Sequence, residues 1–390
     1  MNPKYLALAP ALWPSSGKAE LSFDLQNQRY DTSYQLYQEE SDRITVESWY
    51  LRGDIDITES TSFRFQYLRD AISGASPSGA QPGGLQPFLQ QLEDVRTGIM
   101  GALSQQFGDH RVELEISRSK ESDYLSYGLA LSDKWELNQK NTTLAYGINY
   151  LDDDVSVYGI DPQDKKSYDF FTGVTQIIDK NTIVTANLTI GFNQGYLNDP
   201  YKSIQRTDIV QFDDGLGGFI EVPVVNTYAE NRPDSRMREV LQLQGTHFFE
   251  DAHGALDATL RLAHDDYGVF SQTLQVEWRQ AFGEKWEITP FARYYRQNAA
   301  NFFHNTLDGV PITNPPDYPT GSGPNYSADY RLSSLDALSL GLRVRYQLSE
   351  NVAATAAYER YQMNGIGSDQ APSEAYMAAN IWTFGFTAEF

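Results

Sequence analysis

Cysteine is absent from the 390-residue sequence. Its absence excludes disulfides, thiolate metal sites and cysteine nucleophiles together. A chain without thiols is compatible with an oxidising periplasm, although the absence alone does not require that compartment.

Long hydrophobic runs are also missing. No stretch of about 18 consecutive apolar residues occurs, so no transmembrane helix is predicted. The mean hydropathy is low, at -0.49. A membrane location remains open, because barrel strands cross with about 10 alternating residues, a pattern that hydropathy windows average away.

Basic residues are scarce relative to acidic ones. The chain has 30 Lys and Arg against 52 Asp and Glu, which gives a formal net charge of -22. Phosphate contacts need a basic face. We therefore expect no nucleic-acid partner.

Aromatic residues are abundant, at 13% of the chain, and several lie in the C-terminal stretch Tyr376–Phe390. There Trp382, Phe384 and Phe386 alternate with polar or small residues, and this period of two indicates a strand. A chain that ends inside a strand must pair it, and in a closed barrel the partner is the first strand. The pattern is similar to the signal read by the assembly machinery of bacterial outer-membrane barrels.

Sixteen candidate strands follow residue 18, joined alternately by tight turns and longer connections. They are Ala19–Gln38, Arg43–Ile57, Thr61–Ile72, Val95–Phe107, Arg111–Lys120, Tyr124–Leu137, Thr142–Asp152, Tyr168–Ile178, Thr182–Gln194, Arg236–Phe249, Ala255–Asp265, Val269–Phe282, Lys285–Gln297, Arg331–Leu348, Val352–Met363 and Ala375–Phe390. The long loops are Ser73–Leu92, Gly195–Asp234 and Ala299–Asp329. Short periplasmic turns, long extracellular loops and an even strand number are features of outer-membrane barrels.

The sequence therefore predicts an all-β fold, a single transmembrane antiparallel β-barrel over residues 19–390. Residues 1–18 form an N-terminal segment, either a residual signal peptide or a periplasmic tail, and whether residues 1–19 are cleaved stays open. The predicted location is the outer membrane of a Gram-negative bacterium, with its lipid as the surrounding partner.

Charged residues alternate with apolar ones within the strands. A midplane Arg facing lipid costs roughly 2–4 kcal/mol, so the charged set is predicted to face the barrel interior. A soluble sandwich would place the same residues outside, but the terminal strand and the turn asymmetry favour the membrane. The predicted inward-facing residues are Arg52, Arg64, Arg111, Arg261, Arg279, Arg293, Arg343, Arg345, Asp54, Asp70, Glu113, Glu115, Asp257, Glu277 and Glu287.

Several blocks resemble a bacterial outer-membrane family catalogued as domain of unknown function 3570. They are Asp70–Pro77 with Gly79, Gly195–Lys202, Arg232–Arg236, Pro290–Gln297 and Ser327–Leu332. The resemblance implies a Gram-negative outer-membrane barrel and supplies no agreed substrate, reaction or catalytic residue. The thioredoxin-like and flavin-attaching proteins that accompany such barrels hint at envelope redox or metal handling.

Two loop borders carry candidate functional residues. At the first, Asp70, Ser73 and Ser76 either anchor the loop or line the mouth. At the second, paired charges beside two prolines either clamp the loop to the wall or bind an anion. The candidates at the second border are Asp199, Tyr201, Lys202, Arg232, Asp234 and Arg236.

Catalysis and metal binding have little support in the sequence. His264-Asp265-Asp266 is similar to the constellations of surface proteases but is a lone tripeptide, and His247 and His253 match no standard metal motif. We therefore expect no enzyme, cofactor or metal site.

Two functions remain from the sequence. The first is a pore or selective channel for small polar solutes or ions, since a barrel of this strand number is wide enough to hold water. The alternative is a non-enzymatic scaffold or docking barrel for periplasmic or surface redox or metal-handling proteins.

Overall fold

The computed structural model describes residues 27–41, 43–156, 161–213, 215–312, 314–316 and 318–390, so the N-terminal segment 1–18 lies outside the described residues. Sixteen of the described strands form one closed antiparallel barrel. In chain order these are β1 Gln28–Glu39, β2 Thr45–Asp56, β3 Thr61–Pro77, β4 Leu89–Phe107, β5 His110–Lys120, β6 Tyr124–Leu137, β7 Thr142–Val155, β8 Gln163–Asp179, β9 Thr182–Gly195, β12 Ser235–Phe249, β13 Gly254–Asp265, β14 Phe270–Phe282, β15 Trp286–Gln297, β16 Leu335–Gln347, β17 Val352–Gly365 and β18 Ala378–Glu389.

The remaining elements lie in the connections. Strands β10 Ser203–Asp213 and β11 Phe219–Ala229 form a separate two-stranded hairpin between β9 and β12. Two 3-10 turns occupy Tyr330–Leu332 and Ser373–Ala375. Within the described residues, no helix is both long and apolar enough to cross a bilayer.

Closure depends on the pairing of the first and last strands, as the C-terminal pattern predicts. The ladder between β1 and β18 runs from Arg29 opposite Glu389 to Glu39 opposite Ala379. The backbone N–H of Gln28 donates to the carbonyl of Phe390 at 3.0 Å. This pairing leaves neither strand with an open edge.

The two faces of the wall differ in polarity, which confirms the predicted alternation. Leu260, Leu274 and Leu340 point outward and are 38, 50 and 53% exposed on the isolated chain. Their neighbours along each strand point inward and are polar, charged or glycine. In lipid the exposed leucines are covered by acyl chains, whereas the inner face needs water or ion pairs.

The two ends of the barrel also differ. Tight turns join the strands at the end where β1 begins and β18 finishes, and the long connections lie at the opposite end. Trp135 and Trp286 lie near the tight turns, where Trp135 stacks on His110 at 5.2 Å between ring centroids and Trp286 contacts the tilted ring of Tyr346 at 4.4 Å. This arrangement matches a periplasmic aromatic belt.

Some predicted element bounds were wrong. The loop predicted as Ser73–Leu92 is shorter, because the β3–β4 ladder continues as far as Pro77 opposite Leu89. The loop predicted as Gly195–Asp234 contains the hairpin β10–β11. The first strand was predicted from Ala19, whereas β1 begins at Gln28 and residues 1–26 lie outside the described part.

Replacing Leu260 by arginine places a charge on the lipid-facing side near the middle of β13. We expect Leu260→Arg to lower the free energy of unfolding in lipid vesicles by about 2–4 kcal/mol. The matched control is Thr259→Arg, its neighbour on the inner face, which we expect to cost clearly less. Denaturant titration of both variants measures the difference, and equal losses would contradict the orientation of the wall.

Candidate functional site

The lumen is accessible to water over much of its length but packed at its outer end. The inward side chains of Arg52, Arg293 and Arg343 are 36, 45 and 41% exposed. At the outer end the side chains of Glu230 and Asp329 are both only 1% exposed. The long loops fill this end of the barrel.

The filling consists of the described residues within 78–88, 196–234 and 298–334, here called the loop plug. The first two segments touch where the amide of Ser203 donates to the carbonyl of Ser78 at 2.7 Å. A side chain at Gly79 would meet the carbonyl oxygen of Ser203 at 1.9 Å, so only glycine permits this approach. The second and third segments pair through Asn231 and Tyr326.

Two apolar clusters support the loop plug. One joins plug residues to the outer ends of the strands, and its buried members are Tyr267, Val269, Ala300, Phe302, Phe303, Tyr330, Leu332, Ala371 and Ala375. The other lies within the plug, with buried members Ile204, Leu307, Ile312, Tyr326 and Ala328. Burial of this apolar surface gives the loops a core of their own.

A chain of ion pairs connects the second and third segments of the plug. Arg232 bonds Glu230 at 2.8 Å and Asp329 at 2.7 Å. Arg331 bonds Asp329 as well, and it also reaches Asp199. We call these five residues the loop latch.

Burial affects the pKa of both carboxyls of the latch, but the net shift differs between them. It raises the pKa of Glu230, against the opposing effect of Arg232. For Asp329 the effect of burial is overcome by Arg331 and Arg232, which hold the pKa of this carboxyl well below its usual range. A depressed carboxyl pKa contributes stability above the unfolded value and loses it as pH falls through the folded value. Asp329 therefore holds the plug together at neutral and mildly acidic pH.

Lys202 ties the plug to the end of β3. Its ammonium donates to the carbonyl of Pro77 at 2.6 Å and to the hydroxyl of Ser76 at 3.1 Å. Burial lowers the pKa of Lys202, partly offset by nearby carboxylates that include Asp329. A buried lysine with these partners is a fixed anchor, which agrees with the structural interpretation of this border.

Tyr201, Asp234 and Arg236 hold the borders of the second loop segment. The hydroxyl of Tyr201 donates to Asp123 at 2.5 Å. The amide of Asp234 donates to the carbonyl of Gly321 at 3.3 Å, and Arg236 bonds Asp265 on β13.

Two candidates of the first border lie apart from this network. Asp70 lies on the inner face of β3 in register with Arg96 on β4. Ser73 is exposed and in register with Thr45 on β2. Neither residue has a side-chain bond to the plug among the described residues.

Two cavities lie at the edge of the loop plug, between the plug and the barrel wall. The outer cavity has a volume of about 500 Å³ and lies between the second loop segment and the ends of β6 to β9, with Tyr124, Lys165 and Asn193 in its lining. The inner cavity, of about 230 Å³, lies deeper against β12 to β15. Arg236 and Arg331 line both cavities, so these two arginines lie between them.

His264 does not form a protease-like group with its neighbours. Asp265 points inward to Arg236, whereas the carboxylate of Asp266 accepts from the amide of Met237. His264 is exposed and lies opposite Phe270, which is also exposed. The tripeptide is thus divided between two faces of the wall.

Glu230, Asp329 and Arg331 were not among the site residues predicted from the sequence. Their partners are distant in the chain, since 97 positions separate Arg232 from Asp329. The one available signal was the block Ser327–Leu332, which contains two of the three residues.

Comparison with solved structures finds several chains that this one resembles. CdiB from Acinetobacter baumannii has a TM-score of 0.50 and 8% identity, over 94% of this chain and 60% of that one. A bacterial polysaccharide outer membrane secretin gives 0.48 and 10%, over 93 and 98%. The CymD monoaromatic hydrocarbon channel gives 0.44 and 10%, over 94 and 89%. At these identities the likeness extends to the fold alone.

The search among curated proteins finds no match. A closed barrel of sixteen antiparallel strands with an apolar outer face is the architecture of Gram-negative outer-membrane proteins, so the protein lies in that membrane. One family model, described as a protein of unknown function (DUF3570), matches residues 6–86, 83–163 and 160–378. The chain therefore belongs to this family of outer-membrane barrels.

Proposed function

We propose that the barrel is a selective channel for small polar solutes or ions. The observation that carries this proposal is a lumen lined by exposed charged side chains, with two cavities beside the loop plug. Solutes enter between the second loop segment and the wall, pass Arg236 and Arg331, and continue down the lumen. The plug restricts the opening to this side passage.

The dimensions and lining of the passage suit small polar solutes. An outer cavity of about 500 Å³ falls in the range of about 300–1,000 Å³ typical of small-molecule sites. Tyrosines, arginines and carboxylates line it together, which favours solutes that exchange hydrogen bonds with water for bonds to the wall. A pore that admits only such solutes keeps the outer membrane closed to larger molecules.

The alternative is the docking barrel for redox or metal-handling proteins. The packed outer end favours it, because loops that closed the lumen completely would leave only surfaces for binding. Conduction distinguishes the two functions: a purified, folded barrel that never conducts in planar bilayers would favour the alternative.

For assembly, we propose that the barrel-assembly machinery recognises the C-terminal strand β18.

A single cysteine at Asn193 tests the side passage directly, because the natural chain has no thiol that would react. Asn193 lines the outer cavity, whereas Phe192 beside it points outward and is 42% exposed. We expect a charged methanethiosulfonate reagent to reduce the conductance of Asn193→Cys in planar bilayers. Phe192→Cys is the matched control and should be unaffected.

Equal responses of the two cysteine variants would contradict the route. A conducting barrel whose Asn193→Cys variant reacts fully but keeps its conductance would place permeation elsewhere. Mass spectrometry of the recovered protein establishes whether the thiol has reacted.

The loop latch gives a second test. Asp329→Asn removes the charge that holds both Arg232 and Arg331, so we expect a looser plug, faster proteolysis within residues 298–334 and larger or more variable single-channel conductance. Asp369→Asn is the matched control, since this exposed carboxylate has only Ser368 as a side-chain partner among the described residues. Unchanged proteolysis and conductance in Asp329→Asn would show that the latch does not restrict the pore.

A further inference from the structure

The inner face of β12 to β16 carries arginines at successive depths. Arg236 and Arg238 lie on β12 near the plug, and Arg261 follows on β13. Arg293 on β15 lies below them, with Arg343 and Arg345 on β16 nearest the tight turns. We call these six residues the arginine staircase.

Strand register gives the spacing of the steps. Arg238 is opposite Asp265, four residues along β13 from Arg261, which corresponds to about 13 Å at the rise of an antiparallel strand. Gln275 is in register with both Thr259 and Arg293, so Arg293 lies about 7 Å further along the strand direction and two strands to the side. With neighbouring strands about 4.8 Å apart, both steps span roughly 12–15 Å between Cα atoms, which two extended arginine side chains can bridge.

Several of these arginines lack a carboxylate partner. Among the described residues, Arg238, Arg261 and Arg345 form no ion pair, although each lies on the inner face. Arg238 and Arg261 are exposed and line the inner cavity with the hydroxyl residues Ser271 and Thr273. An unpaired guanidinium beside hydroxyl donors is suited to a carboxylate or phosphate group.

The charges of two further staircase arginines, Arg293 and Arg343, are only partly neutralised by carboxylates. Arg293 reaches Glu359 at 3.6 Å and Arg343 reaches Glu277 at 3.5 Å, both longer than a strong charge-assisted bond. Near the tight turns, Arg279 lines a further cavity of about 350 Å³ together with Glu287. Inward-facing arginines therefore continue from the plug to the periplasmic end.

The opposite wall differs in its charge pairing. There Arg52 bonds Asp54 and Arg64 bonds Glu113, each at 2.6 Å. These two arginines are neutralised by an adjacent carboxylate, whereas Arg111 on the same wall donates to the hydroxyl of Ser62. Among the described residues, the staircase thus holds the larger set of inward-facing arginines without an ion pair.

We propose that the arginine staircase is an anion path that makes the channel selective for small solutes bearing carboxylate or phosphate groups. This inference rests on the proposed channel function and names the class of solute. Conduction requires binding that is favourable enough for entry and weak enough for release, and a series of separated sites meets both conditions. An anion that has passed the paired Arg236 and Arg331 is bound by Arg238 and then by Arg261.

The test compares wild type with Arg238→Gln/Arg261→Gln in planar bilayers under a potassium chloride gradient. We expect the wild type to favour chloride over potassium, and the double variant to lose most of that preference. Arg238→Lys/Arg261→Lys retains the charge and should keep the selectivity. Arg69→Gln/Arg118→Gln removes the same charge from outward-facing positions and should leave the reversal potential unchanged.

A binding measurement separates failure of the staircase from failure of the channel. Inorganic phosphate, titrated calorimetrically into the folded protein in detergent, should bind wild type at least about tenfold more tightly than the glutamine double variant. Phosphate binding without any conductance would support the proposed anion site but would contradict the proposed channel function. A conducting barrel that prefers potassium, or that responds equally to both glutamine pairs, would overturn the staircase and leave the channel intact.

Discussion

Every backbone N–H and C=O at membrane depth must find a partner inside the protein, because lipid offers none. Pairing of β1 with β18 meets this constraint by leaving the ring of strands without an edge. Closure then determines what each side chain faces, since alternate residues of every strand point to lipid or to the lumen. Closure therefore explains why leucines and aromatic residues lie on the outer face and why arginines and carboxylates lie on the inner face.

The enclosed charges have consequences for the loops as well. The plug buries carboxylates and arginines at the outer end, and these remain stable there only because each has an oppositely charged partner. Asp329 is the centre of this pairing, with Arg232 and Arg331 on either side. Deeper in the barrel the ion pairs become sparser on β12 to β16, so the lumen passes from a packed end to an accessible, positively charged wall.

The barrel could be predicted from the sequence because each of its strands is encoded by a short stretch of the chain. A period of two in a stretch such as Ala255–Asp265 is visible in a dozen residues, and each strand pairs mostly with the next one along the chain. The loop plug could not be predicted in this way. Its contacts join residues such as Lys202 and Ser76, 126 positions apart, and no short pattern encodes that distance. The hairpin β10–β11 was missed although Gly215 and Gly217 mark its turn.

The most direct test of the account is a cysteine scan along the middle of β13, from Leu256 to Leu262, in isolated outer membranes. The natural chain contains no cysteine, so a membrane-impermeant maleimide reports only the introduced thiols. The account predicts labelling at odd-numbered positions, which face the wet lumen, and protection at even-numbered positions, which face lipid. Uniform labelling, or labelling at the even positions, would contradict it.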